Sequence, residues 1–149
     1  MGKKKPKIRP LALCVFRRGD RIFVSEGHDA HTGQTFYRPI GGKIEFGERA
    51  SETVIREVRE EIAAEVTDLV YLGTLESIFD YEGVRGHEIC LIFDGRFTDP
   101  AREADEYTVI GRDDGEVLFT ASWRTLAFFQ KGHTPLYPDG LLDLLTHSD

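Results

Sequence analysis

Residues 42–64 read GKIEFGERASETVIREVREEIAA and hold the best helical segment of the chain, about Ala50 to Ala64. Val54, Ile55, Val58 and Ile62 fall on one side at helical spacing, which predicts an amphipathic helix packed on a core. Glu57, Glu60 and Glu61 are spaced i, i+3 and i+4, so at about 100° per residue they share a face. Each close like-charge pair costs a helix a few tenths of a kcal/mol, roughly, and crowding raises carboxylate pKa values unless a cation relieves it. Arg56 and Arg59 offer part of that counter-charge, and a solvated face laced with Arg–Glu pairs is the plainer reading. These carboxylates, however, border the apolar stripe and so sit at the rim of the core. A rigid set of oxygen ligands there suits a hard divalent cation such as Mg2+. Just upstream, Pro39-Ile40-Gly41-Gly42 permits backbone conformations closed to other residues and can bring a backbone carbonyl near the same ion.

Around this segment the pattern is mostly of strands. Leu11 to Phe16 and Arg21 to Val24, joined by Arg17-Arg18-Gly19-Asp20, read as a hairpin. Gly27 to Thr35 reads as a loop and Phe36-Tyr37-Arg38 as a short strand. After the helix, Leu69 to Tyr81 and His87 to Phe97 are strands joined by a turn at residues 82–86, and Asp99 to Asp114 reads as polar and irregular. Glu116 to Trp123 is a further strand, with short helices at Thr125 to Gln130 and Gly140 to Thr146. Strands outnumber helices in a mixed order, which gives an α+β class or a mixed-sheet α/β sandwich.

At 149 residues the chain suits one domain, 8–149, preceded by a basic tail at 1–7. A net charge of -7 argues against generic attraction to nucleic acid or an anionic membrane, so an anionic substrate needs a local cation. No run approaches the roughly 18 apolar residues that span a bilayer, and Ile8-Arg9-Pro10 interrupts any signal-like apolar region, which gives a cytoplasmic expectation. Cys14 and Cys90 lie in apolar runs and read as buried, inert thiols.

Residues 42–64 resemble the signature of the Nudix hydrolases: Gly, five residues, Glu, seven residues, Arg-Glu, an aliphatic, any residue, Glu-Glu, any residue, Gly, an aliphatic. The match falls on Gly42, Glu48, Arg56, Glu57, Val58, Glu60 and Glu61, with Ala63 in place of the final Gly and Ala64 as a small final aliphatic. Ala63 carries no catalytic group and, as a better helix former than glycine, is expected to change only the helix exit. The resemblance implies an α/β/α sandwich and hydrolysis of a nucleoside diphosphate linked to another moiety, by water attack on phosphorus. It implies Mg2+ or Mn2+ held by Glu60 and Glu61, with the Gly41 carbonyl as a further ligand and Glu48 near a metal. Glu57 is then the general base or the group orienting it, and Arg56 holds the glutamates by salt bridges. A homodimer is compatible with the family.

Outside the box, Arg38 is a candidate phosphate contact, Glu88 a candidate metal or water contact against an exposed strand-end carboxylate, and Tyr37 and Phe79 the preferred base-stacking candidates among Phe36, Tyr81 and Trp123. Glu103 and Glu106 lie where some members carry a further catalytic Glu, with solvation the plainer reading. The alternative function is a catalytically silent nucleotide-binding sensor on the same fold, which would have no chemical need for Glu57, Glu60 and Glu61. An isomerase acting on isoprenoid diphosphates is the third, disfavoured because both cysteines read as core.

Overall fold

The structure, a computed structural model, describes residues 5–113 and 117–147. Seven strands form one mixed sheet: β1 (Ile8–Cys14), β2 (Arg21–His28), β3 (Thr35–Lys43), β4 (Val66–Tyr81), β5 (Val84–Phe97), β6 (Thr108–Asp113) and β7 (Val117–Thr125). Their order is β4-β5-β1-β3-β2-β7-β6, with β1 and β5 parallel and every other pair antiparallel. Helix α1 (Ala50–Ile62) covers one face, while α2 (Leu126–Gln130) and α3 (Leu141–His147) cover the other.

The uninterrupted apolar run at Leu11–Phe16 follows from this layering, since a strand covered on both faces has no solvent side to mark with polar residues. Ala12, Cys14 and Phe16 pack toward α1 with Val54, Val58 and Ile62, and Leu11, Leu13 and Val15 pack toward α3 with Leu141 and Leu145. Both cysteines are buried and free, and burial pushes the Cys90 thiol up to about 12. On α1 the buried set is Thr53, Val54, Val58 and Ile62, so Thr53 takes the place expected for Ile55, which is partly exposed.

Three expectations are corrected. The first two strands are not a hairpin: β3 lies between them, with Ile40–Cys14 pairing on one edge and Pro39–Val24 on the other. The local antiparallel turn survives only as the Arg18–Arg21 bridge and the Phe23 amide donating to the Val15 carbonyl at 3.0 Å. The short strand at Phe36 instead runs from Thr35 through Pro39 and both glycines to Lys43, because its two halves pair with different neighbours. Finally, the stretch from Asp99 holds a 3-10 turn (Pro100–Glu103) and β6, an exposed edge strand whose polar residues hide its pairing from a composition reading.

Of the basic tail, residues 1–4 lie outside the described residues, as do Asp114 and Glu116; residues 5–7 are exposed and without regular structure. No helix among the described residues is long and apolar enough to cross a membrane.

Candidate active site

The site forms where β3 hands the chain to α1. Gly41 has φ +155°, and a Cβ there would lie 2.1 Å from the Ala12 carbonyl oxygen, so only glycine lets β3 close on β1. At Gly42 a Cβ would fall 2.5 Å from Glu57 Cδ, so the missing side chain is the space in which the Glu57 carboxylate stands. After the loop, α1 begins with the Arg49 amide donating to Glu52 Oε1 at 2.8 Å. The helix ends at Ala63 in the left-handed conformation, φ 53°, with its amide donating to the Arg59 carbonyl. The residue replacing the motif's last glycine therefore lies past the helix, at a left-handed exit that glycine would occupy without strain, and helix propensity is not what matters there.

Arg56 organises the near side of the carboxylate group. Its Nε and Nη2 donate to Glu48 Oε2 and Oε1 at 2.7 and 2.9 Å, a two-pronged pair. Its Nη1 reaches Glu57 Oε1 at 2.8 Å and Glu60 Oε2 at 3.3 Å, and Nη2 also donates to the Lys43 carbonyl at 3.1 Å. The buried Thr53 hydroxyl donates to Glu48 Oε1 at 2.6 Å. Arg56 first, then Thr53, hold the Glu48 carboxyl down to about 2.

Glu61 is the opposite case. Burial, followed by the charges of Glu57 and of Asp113 from β6, pushes it up to about 9, against a backbone hydrogen bond from Gly41 and the charge of Arg38. Glu57 is also raised by burial, opposed by Arg56 and reinforced by Glu60 and Asp113. Among the described residues no three His, Cys, Asp or Glu side chains form a ready metal cage. The donor chemistry nevertheless fits a hard divalent cation: the groups are all carboxylates, Glu61 is half-buried among like charges, and Arg56 is committed mainly to Glu48.

Glu57, Glu60, Glu61 and Asp113 line one end of a cleft of about 970 Å3 whose walls also carry Arg38, Phe79 and Glu88. At the other end Phe36, Phe79, Tyr81 and Tyr137 form an aromatic wall, with Phe36 5.8 Å from Tyr81 and 5.6 Å from Tyr137, and Phe79 6.1 Å from Tyr137, between ring centroids. Tyr37 is not in the cleft lining. It is buried against Phe128 and Phe129 on the α2–α3 side, its hydroxyl donating to Glu26 at 2.8 Å. Trp123 packs in the core 5.2 Å from Phe23, beneath the Arg21 guanidinium. Glu103 is neither solvated nor in the cleft: it pairs with Arg18 at 2.7 Å and with Arg96. Glu106 is exposed and outside the cleft lining. Glu88 is buried, against the exposed strand-end reading.

Among the lining residues that escaped the sequence reading are Arg9, met there only as a break in an apolar run, Asp113 and Tyr137. Asp113 lay in a stretch read as irregular, and Tyr137 lay in a loop without periodicity, so neither carried a local signal.

The sequence matches the NUDIX domain over residues 7–139. A stretch of 69 residues, 46% of this chain and 24% of the relative, is 39% identical to "NAD-capped RNA hydrolase NudC" of Pseudomonas putida (strain W619). The corresponding protein of Pectobacterium carotovorum subsp. carotovorum (strain PC1) is 35% identical over the same length, 26% of that relative. The match thus spans about a quarter of the curated relatives' length. A solved NUDIX hydrolase from Nitrosomonas europaea has the same fold at a TM-score of 0.64 and 17% identity, covering 94% of this chain and 87% of that one. The MutT NUDIX hydrolase from Burkholderia pseudomallei aligns at 0.59 and 17% identity, covering 95% and 99%. With the Gly42 to Glu61 pattern, the layered sheet and the match over residues 7–139 all in agreement, this chain belongs to the NUDIX domain family.

Proposed function

We propose that this protein is a divalent-metal-dependent pyrophosphohydrolase that splits the diphosphate of a nucleoside diphosphate joined to another moiety, acting on a small molecule in the cytoplasm. The observation that carries the reading is the half-buried Glu61 carboxyl, which with Glu57, Glu60 and Asp113 lines one end of a cleft whose other end is aromatic. An acidic end needs a cation, and an aromatic end offers a surface for a nucleobase.

In this reading Glu60 and Glu61 hold Mg2+ or Mn2+, with the Gly41 carbonyl, Glu48 and Asp113 as additional donors. The bound ion supplies neutralisation of diphosphate charge and a more acidic water. Glu57 accepts the proton of the attacking water, its basicity raised by burial and its position set by Arg56 and by the space at Gly42. Arg56 keeps Glu48, Glu57 and Glu60 from splaying apart. Phe79, with Phe36, Tyr81 and Tyr137, stacks on the base.

The curated relatives named for NAD-capped RNA support including NAD and NAD-capped RNA beside ADP-ribose, nucleotide sugars, nucleoside triphosphates and dinucleoside polyphosphates in a substrate panel. The acidic surface favours the small molecules. The test is this panel with Mg2+ and Mn2+, with and without chelator, and with product analysis to show which bond breaks. Metal-restored turnover is expected, and Glu57→Gln and Glu60→Gln are each expected to lower it by at least about a hundredfold. Full activity in metal-free buffer, or unchanged turnover in both variants, refutes the reading. Tight binding of a panel member without turnover identifies the sensor instead.

A further inference from the structure

Away from the acidic end, the cleft holds a second charged group that lies outside the box. Glu88 on β5 is 4% exposed and is the register partner of Arg9 on β1. Its Oε2 lies 3.9 Å from Arg9 Nη1 and its Oε1 3.6 Å from Arg38 Nη2, both beyond hydrogen-bond length. The carboxylate therefore balances charge without using up the donors of either guanidinium. Both arginines line the cleft, with side chains 55% and 33% exposed, and among the described residues neither side chain has a closer acceptor. Arg56 contrasts with them, since its donors are taken by Glu48, Glu57 and the Lys43 carbonyl.

The group also stands between the two ends of the cleft. Ser77 faces Glu88 across the β4–β5 pair, and Phe79, two residues on along the same face, belongs to the aromatic wall. On the other side the charge of Arg38 reaches Glu61. Guanidinium groups with donors to spare, facing an open cleft, are receptors for phosphate oxygens. Two of them side by side repel each other, and a buried carboxylate between them keeps both in place while leaving one net positive charge.

We propose that Arg9 and Arg38, tethered by the buried Glu88, form an anion seat that grips a substrate phosphate apart from the acidic end, with Glu88 as the positioning residue. The identity of that anion rests on the nucleoside diphosphate reading above; the seat itself is testable without metal or turnover.

The test is ADP binding by calorimetry to the full chain in EDTA, for wild type, Arg38→Gln, Glu88→Gln and the double variant. Wild type should bind in a salt-sensitive way. Arg38→Gln should weaken binding by at least about tenfold, the value of a charge-assisted hydrogen bond to phosphate. Glu88→Gln should weaken it by at least about threefold alone and by clearly less in the Arg38→Gln background, where only Arg9 is left for it to position. A merely structural Glu88 would give additive losses, which overturns the positioning role. Tighter binding in Glu88→Gln overturns it too, by making Glu88 a brake. If Glu88→Gln does not fold, Arg38→Gln, at a partly exposed position, decides alone: unchanged affinity overturns the seat, as does absence of ADP binding by wild type. Binding of this kind without hydrolysis in Mg2+ leaves the seat standing and removes the hydrolase reading. Hydrolysis with KM unmoved in both variants does the reverse.

Discussion

Replacing Glu61 by Gln should stabilise the metal-free protein, and the size of the gain should depend on pH. Below about pH 4.5 the carboxyl is protonated in both the folded and the unfolded chain, and the substitution changes little electrostatically. Between 4.5 and about 9 the unfolded chain has released the proton while the folded chain retains it, so wild-type stability falls as pH rises through this window. At pH 7.5, three pH units above the ordinary carboxyl value, the ceiling is about 4 kcal/mol at roughly 1.4 kcal/mol per unit. Side-chain rearrangement and water entry at the cleft reduce this to about 1 to 2 kcal/mol. For a chain of this length that corresponds to about 3 to 7 °C in melting temperature. The assay is thermal unfolding of wild type and Glu61→Gln in EDTA at pH 5, 6.5 and 8, repeated with saturating Mg2+. The variant should gain over wild type as pH rises, and wild type should recover the difference with Mg2+, since an ion bound only by the folded state stabilises it by mass action. A pH-independent difference, a variant less stable at every pH, or a wild type indifferent to Mg2+ would show that the Glu61 carboxyl is not held protonated by its surroundings and does not hold the ion.

Three other substitutions probe the same region. Glu48→Gln leaves Arg56 without its two-pronged partner and should cost about 1 to 2 kcal/mol near neutral pH by denaturant unfolding. Because the Glu48 carboxyl is held down to about 2, the wild-type advantage should be lost as pH falls from about 4.5 toward that value; a difference constant with pH counts against it. Gly42→Ala puts a methyl where the Glu57 carboxylate stands, so turnover on any substrate found should drop about a hundredfold with little change in melting temperature; normal turnover would show that the position of Glu57 is not set there. Ala63→Gly relieves a left-handed alanine and should raise stability by about 0.5 to 1 kcal/mol with activity unchanged, and a destabilised variant would mean the helix exit is not strained.

What residues 42–64 determined alone was the part of the site built by one helix and the turn before it. Helical spacing is local, so Glu57, Glu60 and Glu61 share a face wherever the helix is packed, and Arg56 reaches Glu60 from one turn away. The two cysteines and the α+β class were legible for a similar reason, since apolar runs and turn residues report burial and punctuation without knowledge of neighbours. Strand partners are not local in that way. Leu11–Phe16 and Arg21–Val24 look like a hairpin in one dimension, and only the insertion of β3 between them, which lets each half of β3 pair on a different side, opens the cleft. The same tertiary choice buried Glu88 between two arginines and turned Tyr37 to the far face. It also carried Asp113 some fifty residues along the chain to Glu61, within range of a Coulomb interaction that no spacing rule encodes. Even the missing glycine of the motif changed meaning: by propensity Ala63 was a better helix residue, but it stands past the helix at positive φ, where the backbone, not the helix, sets the cost.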